Sequence, residues 1–371
     1  MNREEAVSGG GTSPLVWVLA SDAVGRDTQS FALAEALGWP YQTRHIAFAG
    51  SKKGLNKYRG RFFGTKLSGV DVSKSDQLIP PWPDLIIATG IRQVPVEFWI
   101  RAQNGGRTRL VHIQRPFAPA RMFDLVICGD YPPGKNVFSL EFPLIRKDKP
   151  SDPEYLMSWE RRFMHLPRPW VSLLIGGPAR PFTMPPGLGE RMMHEVSDVL
   201  RRQGGSLLIS TSRRTPAEMS EALDKFRPPN SFLFKWQPSS TENPYLAMLH
   251  LSDRIIATSD SVSMIMEAVR AGKPTEIYKL PEKKKPASLW STLTRSLYRS
   301  HRSAYDDYDQ RHSRFVERLR MLGLITMPDR VKVFRLVARG SASFFGENDV
   351  RSPTPLPDEM SEIVKVIKQW F

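Results

Sequence analysis

The chain is nearly without cysteine: Cys128 stands alone among 371 residues. That excludes a disulfide within the chain and any cysteine-rich zinc site. Its seven histidines are scattered, and no HExxH or similar pair stands at metal-ligand spacing. Long apolar runs are missing too. The stretch from Pro14 to Ala20 is far short of the roughly 20 residues a spanning helix needs. Met1 to Ser13 is polar and glycine-rich, with Glu4 and Glu5 where a secretion signal carries positive charge. An intracellular protein without an integral membrane segment is expected, with a disordered tail over residues 1–13. Acids are scarce relative to bases, 38 against 53, for a net charge of +15. Such an excess favours anionic partners, whether nucleic acid, acidic lipid or phosphorylated substrates, without choosing among them. What is present in ordinary measure is apolar residue, 40%, and total charge, 25%. These values exclude a long disordered protein and leave a core large enough for two domains.

Short apolar runs ending in glycine or small polar residues recur along the chain. Leu15 to Ala20 leads into Ser21-Asp22-Ala23-Val24-Gly25, and a helical pattern follows from Thr28 to Leu37 with Gly38 as C-cap. Arg44 to Phe48, Asp84 to Gly90, Arg109 to Gln114 and Asp124 to Cys128 read as further strands. Their continuous apolarity suits strands of a parallel sheet covered on both faces. Arg146 to Pro169 is charged, proline-bearing and weakly patterned, and is read as a linker. A second series begins at Trp170 to Ile175, which ends in Gly176-Gly177. Gly187 to Gln203 is helical. Ser206 to Thr211, Phe232 to Trp236, Asp253 to Thr258 and Thr275 to Tyr278 are strands, with a helix from Ser261 to Ala271. The expected fold class is α/β, with two Rossmann-type domains of parallel sheets facing across a cleft. Their expected spans are 14–150 and 165–340. A C-terminal tail, 341–371, carries a helix from Glu359 to Phe371.

The most informative segment is Ser259-Asp260-Ser261-Val262-Ser263 running into a helix that holds Glu267. Free N–H groups and the dipole at a helix start favour phosphate. Glu267, six residues beyond Ser261, lies about 9 Å along the helix. At that depth a carboxylate accepts hydrogen bonds from both hydroxyls of a ribose whose diphosphate sits at the helix start. A plainer reading is that Asp260 or Ser261 caps the helix and Glu267 is solvated. The charge of Asp260 also opposes a phosphate there.

From its strand through EAxxxGKP at Glu267 to Pro274, this segment resembles the donor-binding signature of GT-B glycosyltransferases, the two-Rossmann-domain class. There the glutamate holds the nucleotide ribose, the role that falls to Glu267. More of the chain resembles the family named for the plant mitochondrial-fission factor (elongated mitochondria), which has many bacterial members. The matching residues are SDAVGRDTQSFALAEALG at Ser21 to Gly38, TGIRQVPV at Thr89 to Val96, LLIGGP at Leu173 to Pro178, STSRRTP at Ser210 to Pro216, and ATSDSVSMIMEAVRAGKP at Ala257 to Pro274. They cover most of residues 15–280 in order. The stretch Arg115 to Tyr131 departs from the pattern: Gly129-Asp130-Tyr131 stands where a histidine-and-aspartate ending is expected, so no catalytic histidine is assigned there. The resemblance implies a GT-B-like fold with the C-terminal helix returning to the first domain.

Other candidates sit at strand ends, where ligands bind in this architecture. Gly176 and Gly177 permit close approach of a pyrophosphate or, equally, tight strand-to-helix packing. Ser212, Arg213 and Arg214 suit charge-assisted contacts to phosphate oxygens. Trp236 and Gln237 edge a nucleobase, or the tryptophan joins the core. In the first domain Asp22 is the candidate for acceptor positioning or general base, in a loop with Gly25 and Gln29. Arg92 and Gln93 suit an anionic acceptor. His112, inside an apolar run, reads as a core histidine. Asp306-Asp307-Tyr308-Asp309 looks like a DxD but follows no strand, and no metal is expected. Lys52, Lys53, Lys57, Arg59, Arg61, Lys66 and Lys74, interleaved with Tyr58, Phe62 and Phe63, suit an anionic membrane surface. A second basic cluster runs from Lys283 to Arg320. No DNA- or RNA-binding motif accompanies the charge, so nucleic acid is not expected as a partner.

Together these residues and resemblances imply a metal-independent glycosyltransferase. It moves a sugar from a nucleotide-diphosphate donor to an envelope or lipid-linked acceptor, with no cofactor beyond that nucleotide sugar as substrate. Glu267 holds the ribose, and Ser259, Ser261, Ser263 and the glycine pair hold the diphosphate side. The alternatives are a nucleotide-sugar epimerase of the same fold and a non-catalytic peripheral-membrane adaptor. The expected location is cytoplasmic, docking reversibly on the inner leaflet through Lys52 to Phe63.

Overall fold

The computed structural model describes residues 13–21, 27–48, 67, 69–116, 118–129, 131–145, 152–179, 181–240, 242–283, 333, 336–347 and 353–371. The chain divides into two compact units. The described residues of the first are those up to 145 together with Asp358–Phe371; those of the second run from 152 to 357.

The strands are β1 (Val16–Ser21), β2 (Tyr41–Ile46), β3 (Leu85–Thr89), β4 (Arg109–Ile113), β5 (Leu125–Ile127) and β6 (Val137–Phe138) in the first unit. In the second they are β7 (Trp170–Leu174), β8 (Ser206–Ser210), β9 (Ser231–Phe234), β10 (Arg254–Thr258), β11 (Thr275–Tyr278) and β12 (Ser343–Phe344). The helices used below are α1 (Thr28–Leu37), α2 (Val94–Gln103), α3 (Pro153–Phe163), α4 (Leu188–Gln203), α5 (Ala217–Phe226), α6 (Tyr245–Leu251), α7 (Val262–Arg270) and α8 (Glu359–Lys368).

Each unit is built on one six-stranded sheet in which every neighbouring pair is parallel. The fold class is therefore α/β, with two Rossmann-type units. The first sheet runs β2-β1-β3-β4-β5-β6 and the second β12-β11-β10-β7-β8-β9. Counted from β7, the second has the dinucleotide-fold order, and its strand order reverses between β7 and β10. The inner strands β3, β7, β8 and β10 are buried at every residue, as sheets covered on both faces require.

Edge strands read less cleanly from the sequence. β2 covers Tyr41 to Ile46 rather than Arg44 to Phe48, because an edge strand with exposed Gln42 and Thr43 needs no apolar run. Gly38 ends α1 with φ 72° and donates its N–H to the Glu35 carbonyl, a left-handed cap that suits a residue without Cβ. In the first unit α8 packs on α1, placing Met360, Ile363 and Ile367 in one core with Leu33 and Leu37. The Glu359 carboxylate also accepts the Glu141 N–H at 2.7 Å.

The stretch expected as a linker, Arg146 to Pro169, contains α3, which belongs to the second unit. Pro153 marks the start of this helix, not a break: proline is tolerated in the first turn, and Asp152 caps the helix through Glu154 N–H at 3.0 Å. Phe163 is fully buried, with ring centroids 5.1 Å from Phe232 and 5.7 Å from Trp170. Among the described residues no helix is long and apolar enough to cross a membrane.

Candidate functional site

The loops leaving β7, β8 and β10 meet where the second sheet reverses its order, and hydrogen bonds bind them into one network. Thr258, the last residue of β10, accepts the Gly176 N–H on Oγ1 at 2.9 Å and donates to Asp260 Oδ1 at 2.6 Å. The other carboxylate oxygen, Oδ2, accepts the Gly177 N–H at 2.9 Å and Arg214 Nη2 at 3.1 Å. From the β8 exit, Ser212 Oγ and Thr215 Oγ1 both donate to the Gly176 carbonyl, at 2.9 and 2.6 Å. The Asp260 side chain is fully enclosed, while that of Arg214 is 43% exposed. Burial pushes the Asp260 carboxyl above its ordinary range, opposed by Thr258, the Gly177 N–H and the Arg214 charge.

This network supplies a packing reason for both glycines. A Cβ on Gly176 would stand 2.2 Å from Asp260 Oδ2, and one on Gly177 would stand 2.2 Å from the Arg214 carbonyl oxygen. Both glycines are demanded by packing inside the loop, and both N–H groups already have partners. Asp260 does not cap α7; it turns back to the β7 exit. Ser261, at the N-cap, makes no side-chain capping bond, and Ser263 in the first turn is exposed. Ser259 is buried and its Oγ accepts the Leu280 N–H at 3.0 Å, tying the β10 exit to that of β11.

Glu267 lies half-buried on α7, and its Oε2 accepts a hydrogen bond from the Tyr245 hydroxyl at the start of α6. Sequence reasoning missed Tyr245. The Asn243-Pro244-Tyr245 order was the available signal, since Asn243 Oδ1 accepts the Tyr245 N–H at 3.0 Å and opens the helix. Thr258 was missed as well, because the Gly176 N–H that it accepts comes from a strand end remote in sequence. Trp236 is half-buried, with its N–H on Thr211 Oγ1 at 2.8 Å, and Gln237 is exposed beside it. Arg213 is exposed and has a partner of its own.

In the first unit Asp22 and Gly25 lie outside the described residues, as do Lys52, Lys53, Lys57, Arg59, Arg61, Phe62 and Phe63, and the Asp306–Asp309 run. The edges of the Asp22 loop are described: Asp27 Oδ2 accepts Ser21 N–H at 2.7 Å and clamps its two ends together. Gln29 is half-buried, its Oε1 accepting Leu144 N–H at 3.1 Å. Gln93, an acceptor-side candidate, is 1% exposed and donates from Nε2 to the Ala20 carbonyl at 3.3 Å. It ties the exit of β3 to β1. Arg92 stays half-exposed, its guanidinium 5.8 Å from the Phe48 ring. His112 is a core histidine, paired with fully buried Glu97 at 2.7 Å. Among the described residues no group of three or more histidine, cysteine, aspartate or glutamate side chains is placed to hold a metal ion.

Comparison with known proteins adds a family to this geometry. The profile described as "Mitochondrial fission ELM1" matches residues 24–331. The chain belongs to the mitochondrial fission ELM1 family. A similar ELM1-family protein is the mitochondrial fission protein ELM1 of Arabidopsis thaliana, 26% identical over 261 residues. That match covers 64% of this chain and 61% of the plant protein, so the chain spans about three fifths of the relative's length. An uncharacterized protein of Rickettsia prowazekii is 24% identical over 302 residues, covering 72% of this chain and 83% of the other. Among solved structures, a UDP-GlcNAc 2-epimerase from Methanocaldococcus jannaschii is similar over 95% of this chain and 99% of its own, with a TM-score of 0.46 and 9% identity. At that identity no ligand or reaction carries across.

Proposed function

We propose that the second unit binds a nucleoside diphosphate sugar, and that the protein transfers the sugar to an envelope or lipid-linked acceptor without a metal. The observation that carries this reading is that Arg214 is tied through Asp260 to the loop entering α7 at the reversal point of the second sheet, with Glu267 further along that helix bonded to Tyr245. The N–H groups of the α7 start receive the diphosphate, with Arg213 and Arg214 neutralising its charge. Glu267 faces the ribose hydroxyls, its orientation held by Tyr245. In the transfer, an acceptor oxygen forms a bond to the anomeric carbon as the bond from that carbon to the diphosphate oxygen breaks. The nucleoside diphosphate leaves with the electron pair, stabilised by the arginines. The acceptor's proton passes to a carboxylate, for which Asp22 is the proposed base. Reversible docking on an anionic membrane through the Lys52 to Phe63 segment would present a lipid-linked acceptor.

Calorimetric titration of the full chain with ADP, GDP, CDP and UDP tests the donor side. Binding of at least one, lost in Glu267→Ala, supports the reading; no binding by any of them up to millimolar overturns it. Turnover of a nucleotide sugar with no acceptor present would replace transfer by epimerisation.

A further inference from the structure

We propose that Asp260 is a positioning residue, whose enclosed carboxylate holds the Arg214 guanidinium ready for the diphosphate of the bound nucleotide. This rests on the donor site proposed above. In the sequence the aspartate looks like an obstacle, a negative charge at the very start of the helix that should receive phosphate. The structure gives that charge another use. Both of its oxygens are engaged, Oδ1 by Thr258 and Oδ2 by Gly177 N–H and Arg214 Nη2. Its side chain is wholly enclosed, so no ligand atom touches it without dismantling the loop.

Arg214 is the opposite case. Among the described residues Nη2 is the only guanidinium nitrogen with a partner, and 43% of the side chain is exposed. A guanidinium carries five N–H donors in a fixed fork, so most remain for an oxyanion. The residue is held at both ends. Its backbone lies against Gly177 so closely that a Cβ there would be 2.2 Å from the Arg214 carbonyl oxygen. That backbone belongs to a turn pinned by Ser212 and Thr215 on the Gly176 carbonyl. Its tip is fixed by Asp260. Ordering a free arginine side chain costs about tenfold or more in affinity, and here that ordering precedes binding.

Charge and positioning predict opposite signs for Asp260→Asn. If only the local potential matters, removing a negative charge tightens anion binding. If Asp260 acts by holding Arg214, the variant weakens it. The experiment is calorimetry of the full chain with inorganic pyrophosphate, with each nucleoside diphosphate and with the matching nucleosides. Asp260→Asn, Arg214→Ala and the double variant are compared, with thermal melts to confirm folding. Asp260→Asn is expected to weaken pyrophosphate and diphosphate binding about tenfold, Arg214→Ala by ten- to a hundredfold, and the double variant no more than Arg214→Ala alone. Nucleoside affinity stays unchanged.

Tighter or unchanged pyrophosphate binding by Asp260→Asn overturns the inference. So does an equal loss of nucleoside and diphosphate binding, which marks a merely structural role. Should Asp260→Asn fail to fold, Arg214→Ala decides, since its exposed side chain can be removed without opening the core, and unchanged pyrophosphate affinity there also overturns the inference. Pyrophosphate binding that depends on both residues, with no nucleotide bound, leaves Asp260 its role and removes the nucleotide reading alone.

Discussion

Alanine at position 177 tests whether the glycine pair serves packing or a ligand. The backbone of Gly177 is not in the left-handed region, so alanine meets no conformational barrier and its effect is purely steric. Its Cβ would stand 2.2 Å from the Arg214 carbonyl oxygen and 2.4 Å from the Arg214 carbonyl carbon and Cβ. Ordinary contact begins near 3.4 Å, so the turn that carries Arg214 must retreat by roughly 1 Å, a backbone shift of the kind that costs about 1–3 kcal/mol. The retreat also pulls Ser212 and Thr215 away from the Gly176 carbonyl, at about 1 kcal/mol for each hydrogen bond. Gly177→Ala is therefore expected to lose about 3–5 kcal/mol, which for a unit of this size lowers the melting temperature by about 10 °C. Differential scanning calorimetry without any ligand reads this directly. A melting temperature within about 2 °C of the unmodified protein, together with lost anion binding, would refute the packing explanation and return the glycine to the ligand.

Three further outcomes follow from the same geometry. Tyr245→Phe leaves the fold intact but removes the hydroxyl that Glu267 Oε2 accepts, so nucleoside diphosphate affinity should fall about three- to tenfold by calorimetry; unchanged affinity would remove Tyr245 from the site. Asp260 is raised by burial, so its stabilising contribution is complete below the unfolded aspartate value of about 3.9 and is lost as pH rises through the folded value. Glu276, also raised by burial, adds a slope of the same sign. Urea unfolding at stepped pH should give a shallower decline above about pH 4 in Asp260→Asn, and an unchanged slope would contradict it. Deleting residues 358–371 removes Met360, Ile363 and Ile367 from the first core, where none is more than 1% exposed. At about 1.5–3 kcal/mol each, that loss approaches the whole stability of a domain, and the first unit should lose its cooperative melt; an unaltered melt would show that α8 is dispensable.

The amino-acid order by itself carried the inner strands. Leu85 to Thr89, Trp170 to Leu174 and Arg254 to Thr258 sit where continuous apolar runs predict them, because a strand covered on both faces has no solvent side on which to vary. The α1 stop at Gly38 was legible for the same local reason, a left-handed cap that favours glycine. The parallel α/β class follows from such patterns, whereas the family rests on the resembling motifs and on the match over residues 24–331. Edges were not legible: β6 and β12 are two residues long and owe their place to a neighbouring strand rather than to their own composition. α3 lies in the stretch read as a linker, where the Asp152-Pro153 pair marks a helix start.

What only the tertiary structure decided is the traffic between strand ends. Asp260, Gly177 and Arg214 are separated by tens of residues, and Glu267 and Tyr245 by 22. Local pattern showed each of the first four as a residue of suitable type and said nothing of Tyr245. Sheet order brings them together, because β10 lies directly beside β7 and β7 beside β8, so three loops far apart in the chain leave the sheet as neighbours. That adjacency turned an aspartate expected to cap a helix, or to repel a phosphate, into the enclosed partner of an arginine. It also makes Gln93, an acceptor-side candidate in the sequence, a buried tie between β1 and β3. Periodicity reports which residues leave water; it does not report which of them then share a hydrogen bond, since that depends on the order in which the strands are laid side by side.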